Sequence, residues 1–395
     1  MLNTERIAEF LARSPKPGDA FEGQLETVRR YEKDDELPES LQRQLAHLKR
    51  DIPNVAVLYY GGTLGMKQDE KGDLVPTDDI EQLLKPLEIK GLKDRVNTLW
   101  FQVVDRAIDS TNGRWTHWAT IGHAINRLHT LFEDEPGGIN GRPVITTGAQ
   151  SPIFRLGSDA ESNLNFAISA ATQDLSGVHQ AFNAFLLAFL LDGRFIHKVR
   201  DKDYNAFAAG RSSDQYGGFN ADGIVMYDTA PRRNSRIVKG PELEFYPEFQ
   251  EGIKVTKLSP STPSEALLHD SLDPTCQATL LITYGAGNVR DEGLLPNELS
   301  HIDVLRLLRE CEYPVVLGSP MLDGIVESPY ATGAKAVAEG VEAISGESTT
   351  GASLEVKMMR CLFLASKSGI LDYQKFVQQM HKNHIGEIRP PRIRT

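Results

Sequence analysis

Residues 54–66 read NVAVLYYGGTLGM, and this stretch decides the fold. Its first half is an apolar run of the length expected for a buried strand. Gly61 and Gly62 then break the run, and because glycine has no Cβ, the backbone can turn sharply there and approach a ligand. Thr63 follows at once, at the end of a strand where open α/β sheets bind their ligands. Thr63 is therefore a candidate nucleophile, and the alternative is an ordinary strand-to-loop turn with a capping threonine.

The bulk composition predicts a cytoplasmic enzyme with more than one domain. A chain of 395 residues is too long for one ordinary hydrophobic core, so two domains are expected. The formal net charge of −11 argues against nucleic acid as the main partner. The longest apolar run, near residues 184–191, is too short for a membrane span. The three cysteines are widely spaced and form neither a disulfide framework nor a CxxC metal site.

Apolar runs that end in glycine turns alternate with helical periodicity along most of the chain. This alternation predicts an α/β fold with parallel sheets and helices on both faces, that is, two three-layer domains. The predicted parts are a helical extension (1–50), a larger N-terminal domain (51–230), a proline-rich linker (231–252) and a smaller parallel-sheet domain (253–395). Strands are expected at 98–104, 182–191, 278–284 and 313–319, and helices at 115–125, 299–311, 331–339, 352–366 and 373–386.

The segment after Thr63, residues 67–76, is polar and carries a glycine and a closing proline. This composition predicts a mobile surface loop. Because the segment follows the candidate nucleophile directly, it is either a lid over the site or a plain solvated connection.

A second group of polar side chains, Asp109, Ser110 and Thr111, lies between a predicted strand and a predicted helix. The hydroxyls either cap the helix or, with its free N–H groups, receive a carboxylate. By composition alone, Lys198 is a solvated charge in a basic loop. The chain has no GxGxxG and no P-loop pattern, and its histidines are scattered, so we predict neither a cofactor nor a metal.

Taken together, these pieces resemble the bacterial-type L-asparaginase family, most closely its cytoplasmic type I-like branch. The resemblance covers about residues 53–388 and consists of ordered motifs. The motifs are YGGTLGM at 60–66, DST at 109–111, PVITTGAQSP at 143–152, SDAESNL at 158–164, DGRFIHK at 192–198, YGAGN at 284–288, YATG at 330–333 and GEI at 386–388.

The resemblance implies that Thr63 attacks the side-chain amide carbon of L-asparagine, forms an acyl-enzyme and releases ammonia and aspartate. Lys198 matches a lysine that helps to activate the nucleophile, and a hydroxyl needs such help. It also implies a substrate site at Gly62 and at the DST motif, whose two hydroxyls hold the α-carboxylate, and a homodimer or homotetramer in which Asn288 completes the site across the dimer interface. L-Glutamine remains open as a substrate, because one methylene separates the two amino acids.

The chain departs from the family between Trp118 and Pro143. There the family has a strand ending in HGTDT, whose Thr and Asp activate the nucleophile, whereas residues 124–141 contain no such motif. Three explanations stay open: a non-catalytic paralogue, a truncated splice or gene-model form, and a segment missing from the sequence. The alternative function is therefore an amino-acid-binding or regulatory protein, and another small amide or an amidotransferase-type role is a third possibility. Loss of a central strand should leave neighbouring strands with unpaired edges.

Overall fold

A computed structural model describes most of the chain in two compact units, an N-terminal unit within residues 51–247 and a C-terminal unit within 248–382. The described residues are 51–79, 95–103, 106–131, 143–184, 187–192, 202–203, 206–207, 215–220, 223–228, 230, 247–285, 287–293, 298–320, 331–338, 342–343 and 351–382. The predicted extension (1–50), most of the predicted linker and Lys198 lie outside these residues. The boundaries drawn from the sequence therefore stay predictions.

The opening stretch forms a strand, β1 (Asn54–Tyr59), as the sequence predicts. It pairs in parallel with β4 (Asn97–Gln102) along its whole length. Val55 and Tyr59 are buried on one face of β1, and the side chains of Asn54 and Asn97 hydrogen-bond across the pair at 2.8 Å. Because the two strands are parallel, the segments that follow β1 and β4 begin at the same end of the pair.

The predicted mobile loop after Thr63 is a β-hairpin instead. Strands β2 (Met66–Gln68) and β3 (Leu74–Pro76) are antiparallel. Asp69 closes the turn, because its carboxylate accepts the backbone N–H groups of Lys71 and Asp73, both at 2.9 Å. The sequence did not reveal the hairpin because its strands are only three residues long.

A five-stranded mixed sheet forms the rest of the N-terminal unit, in the order β11-β10-β7-β6-β5. Its strands are β5 (Val144–Thr146), β6 (Val178–Ala184), β7 (Leu187–Asp192), β10 (Gln215–Asn220) and β11 (Gly223–Met226), and a separate two-stranded sheet holds β8 (Lys202–Asp203) and β9 (Ala206–Phe207). Among the described strands of this sheet, β5 and β6 pair in parallel and the other neighbours pair antiparallel. The expected single strand at 182–191 is wrong: the apolar run folds back on itself, so that Phe182 pairs with Phe189. The expectation of a parallel sheet is therefore wrong for this five-stranded sheet.

Two helices lie in the described part of this unit, α1 (Trp115–Leu131) and α2 (Ala160–Ala171). Leu164 and Ile168 of α2 join the core cluster of β1 and β4, while Phe166 joins the cluster of β6 and β10. Helix α2 therefore packs against both sheets. Among the described residues, β1 pairs with β4 alone and β5 with β6 alone. The sequence predicts unpaired strand edges of this kind where a central strand is lost. Of the interval in which the family has that strand, residues 132–142 lie outside the described residues.

The C-terminal unit is a parallel sheet with helices on both faces, as predicted. Its strands are β12 (Ile253–Lys257), β13 (Ala278–Ile282), β14 (Val315–Gly318) and β15 (Glu342–Ala343), in that order. Its helices are α3 (Ser264–Ser271), α4 (His301–Glu310), α5 (Ala331–Ala338), α6 (Gly351–Ala365) and α7 (Tyr373–His381). Leu281 and Leu317 face the cluster of α3 and α4, whereas Leu280 and Val316 face α6 and α7. Side chains alternate between the faces of a strand, so this unit has three layers. Strand β12 and helix α3 were not predicted.

Within the described part of the chain, no helix has the length and apolar character needed to cross a membrane.

Candidate active site

The glycine turn after β1 is joined to the turn after β4 by two backbone hydrogen bonds. Gly62 donates its N–H to the carbonyl oxygen of Ile108 at 2.8 Å, and Ile108 donates to the oxygen of Tyr60 at 3.0 Å. At Gly61 the backbones are so close that an added Cβ would lie 2.2 Å from the Ile108 oxygen. Gly61 also has a φ of +118°, which L residues rarely adopt. The close approach that the sequence predicts at this turn is therefore made to the backbone of the chain itself.

Thr63 begins a short 3-10 helix, Thr63–Gly65, directly after this turn. Its side chain is half-buried, whereas Leu64 is buried in the core. The oxygen of Leu64 accepts the N–H of Ile153 at 3.0 Å, which ties the helix to the loop after β5. Thr63 thus lies between two anchored neighbours, because Gly62 is held by Ile108 and Leu64 by Ile153.

The DST motif forms a second 3-10 helix, Ser110–Asn112, immediately after Ile108. Asp109 caps it, since its carboxylate accepts both the N–H and the hydroxyl of Thr111 at 2.8 Å. Asp109 is therefore the cap of this short helix, whereas the capping role weighed for the two hydroxyls concerns the helix that starts at Trp115. Ser110 is half-buried. The parallel bridge between Gly61 and Ile108 brings this motif next to the glycine turn.

The loop after β5 is held by Asp159, at the start of α2. Its carboxylate accepts the backbone N–H groups of Gln150 (3.0 Å) and Ser151 (3.1 Å). Asn163, one helical turn later, donates its amide to Asp159 at 3.0 Å and to the Gly148 oxygen at 2.8 Å. Sequence reasoning missed this network, although the four-residue spacing of Asp159 and Asn163 puts both on one helix face.

The hairpin is anchored to β1 through Tyr59. The phenol donates to the oxygen of Thr77 at 3.0 Å, and burial with the nearby Asp78 charge raises the pKa of Tyr59 to about 12. Asp78 itself accepts from the Gln102 amide at 2.9 Å and from the Ala107 N–H. Thr77 and Asp78 form the only Thr-Asp pair in the chain. The backbone oxygen of Thr77 thus ties the end of the hairpin to Tyr59, and the Asp78 carboxylate ties it to Gln102 and to the segment that leads to the DST motif.

Two expected residues are not part of the described N-terminal unit. Asn288 belongs to the C-terminal unit, where it closes a tight turn with Tyr284. Lys198 falls outside the described residues. Burial raises the pKa of the Tyr60 phenol. Over the described ranges, no cluster of three or more histidine, cysteine or acidic side chains could hold a metal ion.

A family model described as "Asparaginase, N-terminal" matches residues 54–133 and 138–231. This match covers the strand, the glycine turn, the DST motif and the Asp159 network. It is interrupted at residues 134–137, inside the interval where the sequence departs from the family.

Curated relatives carry more than one function. An L-asparaginase of Thermococcus kodakarensis is 27% identical over 84% of this chain and 98% of its own length. A human 60 kDa lysophospholipase is 25% identical over 85% of this chain, which spans 61% of that protein. A glutamyl-tRNA(Gln) amidotransferase component of Methanopyrus kandleri is 25% identical over 87% of this chain and 76% of its own.

Solved structures support the fold. The thermostable L-asparaginase of Thermococcus kodakarensis superposes with a TM-score of 0.66, at 23% identity, over 86% of this chain and 100% of that one. At this identity the likeness shows the fold alone. The chain therefore has an asparaginase-like α/β fold, and its residues 54–133 and 138–231 match the N-terminal asparaginase domain.

Proposed function

We propose that the chain hydrolyses the side-chain amide of L-asparagine, with Thr63 as the nucleophile. The observation that supports this most is the Gly62–Ile108 hydrogen bond of 2.8 Å. It holds the turn that carries a hydroxyl nucleophile beside the turn that carries the DST motif. A reacting hydroxyl and a group that binds the substrate must be fixed together for efficient reaction.

The proposed reaction has two halves. The Thr63 oxygen attacks the amide carbon and its proton passes to a base. The base returns this proton to the amide nitrogen as the C–N bond breaks, and ammonia leaves. Water next attacks the resulting ester and releases aspartate. A neutral hydroxyl needs a base or a nearby cation, and we assign that task to Lys198.

Substrate recognition is proposed for the DST motif. The α-carboxylate of asparagine needs hydrogen-bond donors, and Ser110 and Thr111 offer hydroxyls. Because the Thr111 hydroxyl donates to Asp109 at 2.8 Å, Ser110 is the stronger candidate of the two. Asp109 fixes this turn through its bonds to Thr111, and we include it in the proposed substrate site. The Gly62 N–H is already donated to Ile108, so it is not assigned to the substrate. The proposed role of Gly62 is that it has no side chain, which lets the substrate come close to the backbone.

We further propose a cytoplasmic homodimer or homotetramer in which Asn288 of a second copy contacts the substrate. This rests on the resemblance of the YGAGN turn to that of the family. Size-exclusion chromatography with light scattering measures the oligomeric state, and a monomer that retains full activity would contradict this assignment.

A second candidate function is amino-acid binding without turnover. One observation favours it: the chain's single Thr-Asp pair is engaged structurally. The Thr77 hydroxyl accepts the N–H of Asp79 at 3.1 Å, and Asp78 accepts from Gln102 and Ala107. These contacts leave the pair holding the hairpin, so it does not replace the activating motif that residues 124–141 lack.

Two measurements separate these functions. An ammonia assay with L-asparagine, run in parallel with L-glutamine, detects turnover, and titration calorimetry with L-aspartate detects binding. Hydrolysis predicts ammonia release together with aspartate binding. Aspartate binding without ammonia release supports the second candidate. If the chain neither binds aspartate nor releases ammonia, both candidate functions are contradicted. Between the two amides we expect at most about a 200-fold preference, since a single methylene separates them.

A further inference from the structure

The turn after β13 fixes the backbone of Asn288. Tyr284 and Asn288 exchange two backbone hydrogen bonds, at 2.9 and 3.0 Å. The hydroxyl of Ser319 donates to the oxygen of Gly285 at 2.7 Å and so clamps the turn from the end of β14. With its backbone held, Asn288 can change only the torsions of its own side chain.

The side chain of Asn288 is held by a threonine from another element. Thr332, in the first turn of α5, donates its hydroxyl to Oδ1 of Asn288 at 3.1 Å. Both side chains are half-buried. A carboxamide has one accepting oxygen and one NH2 group with two donors. Because Thr332 binds the oxygen, the NH2 group is the part of Asn288 left to bind another molecule.

We propose that Thr332 is a positioning residue, which orients Asn288 so that its Nδ2 group donates to a carboxylate or carbonyl oxygen of the amino-acid ligand. This inference rests on the proposed function and deepens it. Without the hydroxyl, the carboxamide could rotate by half a turn and present its oxygen instead. An oxygen facing a carboxylate repels it, so orientation decides whether Asn288 assists or opposes ligand binding.

A second contact holds α5 independently of Thr332. Lys335, one turn further along the helix, pairs with Asp291 at 2.6 Å. Val289, between Asn288 and this pair, is buried in the core of the unit. Loss of the Thr332 hydroxyl should therefore leave helix and turn in place. Lys335→Met is a matched control, because it removes a contact between the same helix and the segment just after the turn without touching Asn288.

The test compares wild type, Thr332→Val, Thr332→Ser and Lys335→Met as full chains. Titration calorimetry gives the Kd of L-aspartate, and the ammonia assay with L-asparagine gives KM and kcat. We expect Thr332→Val to raise Kd and KM by about tenfold, the effect of one hydrogen bond, with kcat within about twofold. Thr332→Ser should restore both constants because it keeps the hydroxyl, and Lys335→Met should match wild type. Thermal melting confirms that every variant folds.

Three outcomes overturn the inference while the proposed function stands: unchanged constants in Thr332→Val, no rescue in Thr332→Ser, or an equal loss in Lys335→Met. A wild-type chain that neither binds aspartate nor releases ammonia overturns the proposed function and this inference together. The wild-type measurement thus distinguishes the two failures.

Discussion

The N–H of Gly62 donates to the carbonyl oxygen of Ile108 at 2.8 Å, one residue before Thr63 and one residue before Asp109. This bond extends the parallel pairing of β1 and β4 beyond the ends of both strands. Two turns that are distant in sequence therefore become neighbours at the carboxyl end of a strand pair. Open α/β sheets bind their ligands at such ends, which is why this site is the best supported in the molecule.

Gly61→Ala should disrupt this relationship. The new Cβ would lie 2.2 Å from the Ile108 oxygen and would force the two turns apart. Gly72→Ala is the matched control, because Gly72 also has positive φ (+88°) but no atom within 4 Å of an added Cβ. We expect the control to lose about 1 kcal/mol of unfolding free energy from backbone strain alone. Gly61→Ala should lose about 1–3 kcal/mol more. Equal losses, measured by chemical denaturation, would contradict the close approach.

Asp159→Asn should loosen the loop after β5. The substitution keeps the shape but replaces one accepting oxygen with a donor that faces the N–H groups of Gln150 and Ser151. Loss of a charge-assisted hydrogen bond predicts a destabilisation of about 1.5–3 kcal/mol. The exposed Asp174→Asn is the control and should change stability by at most about 0.5 kcal/mol. Indistinguishable denaturation midpoints for the two variants would show that the Asp159 network does not hold this loop.

Tyr59→Phe should lower the free energy of unfolding below pH 10, and the difference from wild type should shrink at higher pH. The folded chain raises the pKa of Tyr59 from 10.0 to about 12, so above pH 10 the unfolded state loses this proton first. The folded state then binds more protons, and stability falls as pH rises from 10 towards 12. Below pH 10, Tyr59→Phe should be less stable by about 1 kcal/mol, because the bond to the Thr77 oxygen is lost. That deficit should shrink between pH 10 and 12.

Urea denaturation at pH 8, 10 and 11.5 measures this narrowing. The control is Tyr227→Phe, since Tyr227 is exposed and lies outside the Tyr59–Thr77 contact. If the loss of unfolding free energy in Tyr59→Phe stays constant with pH, the neutral phenol of Tyr59 does not anchor the hairpin.

The sequence predicts those parts of the fold that repeat a simple pattern. β1, β13 and β14 follow from apolar runs that end in glycine turns. β13 and β14 are buried along their whole length, and strands buried on both faces need apolar residues throughout. The run at 182–191 was wrongly predicted as a single strand, because an apolar stretch does not show where the chain folds back. In the structure Phe182 pairs with Phe189. The hairpin after Thr63 depends on Asp69 and on pairing between very short strands, which periodicity does not show.

For the candidate site, the sequence indicates which residues matter but not how they are joined. Glycines at 61 and 62 predict a close approach, yet only the structure identifies Ile108 as the group approached. The hydroxyl of Thr111 could serve a ligand or a cap, and its bond to Asp109 emerges only from the fold. Long-range contacts such as these depend on chain topology, which one sequence does not encode in any local pattern.

The most direct test of the proposed hydrolysis compares wild type with Thr63→Ala and Thr63→Ser. Each protein is mixed with L-asparagine, quenched during turnover and examined by peptide mass spectrometry for an aspartyl ester on residue 63, while ammonia release is followed in parallel. The account predicts an ester and ammonia with wild type, weaker signals with Thr63→Ser, and neither with Thr63→Ala, whose fold should persist. Ammonia release by Thr63→Ala at the wild-type rate would show that Thr63 is not the nucleophile.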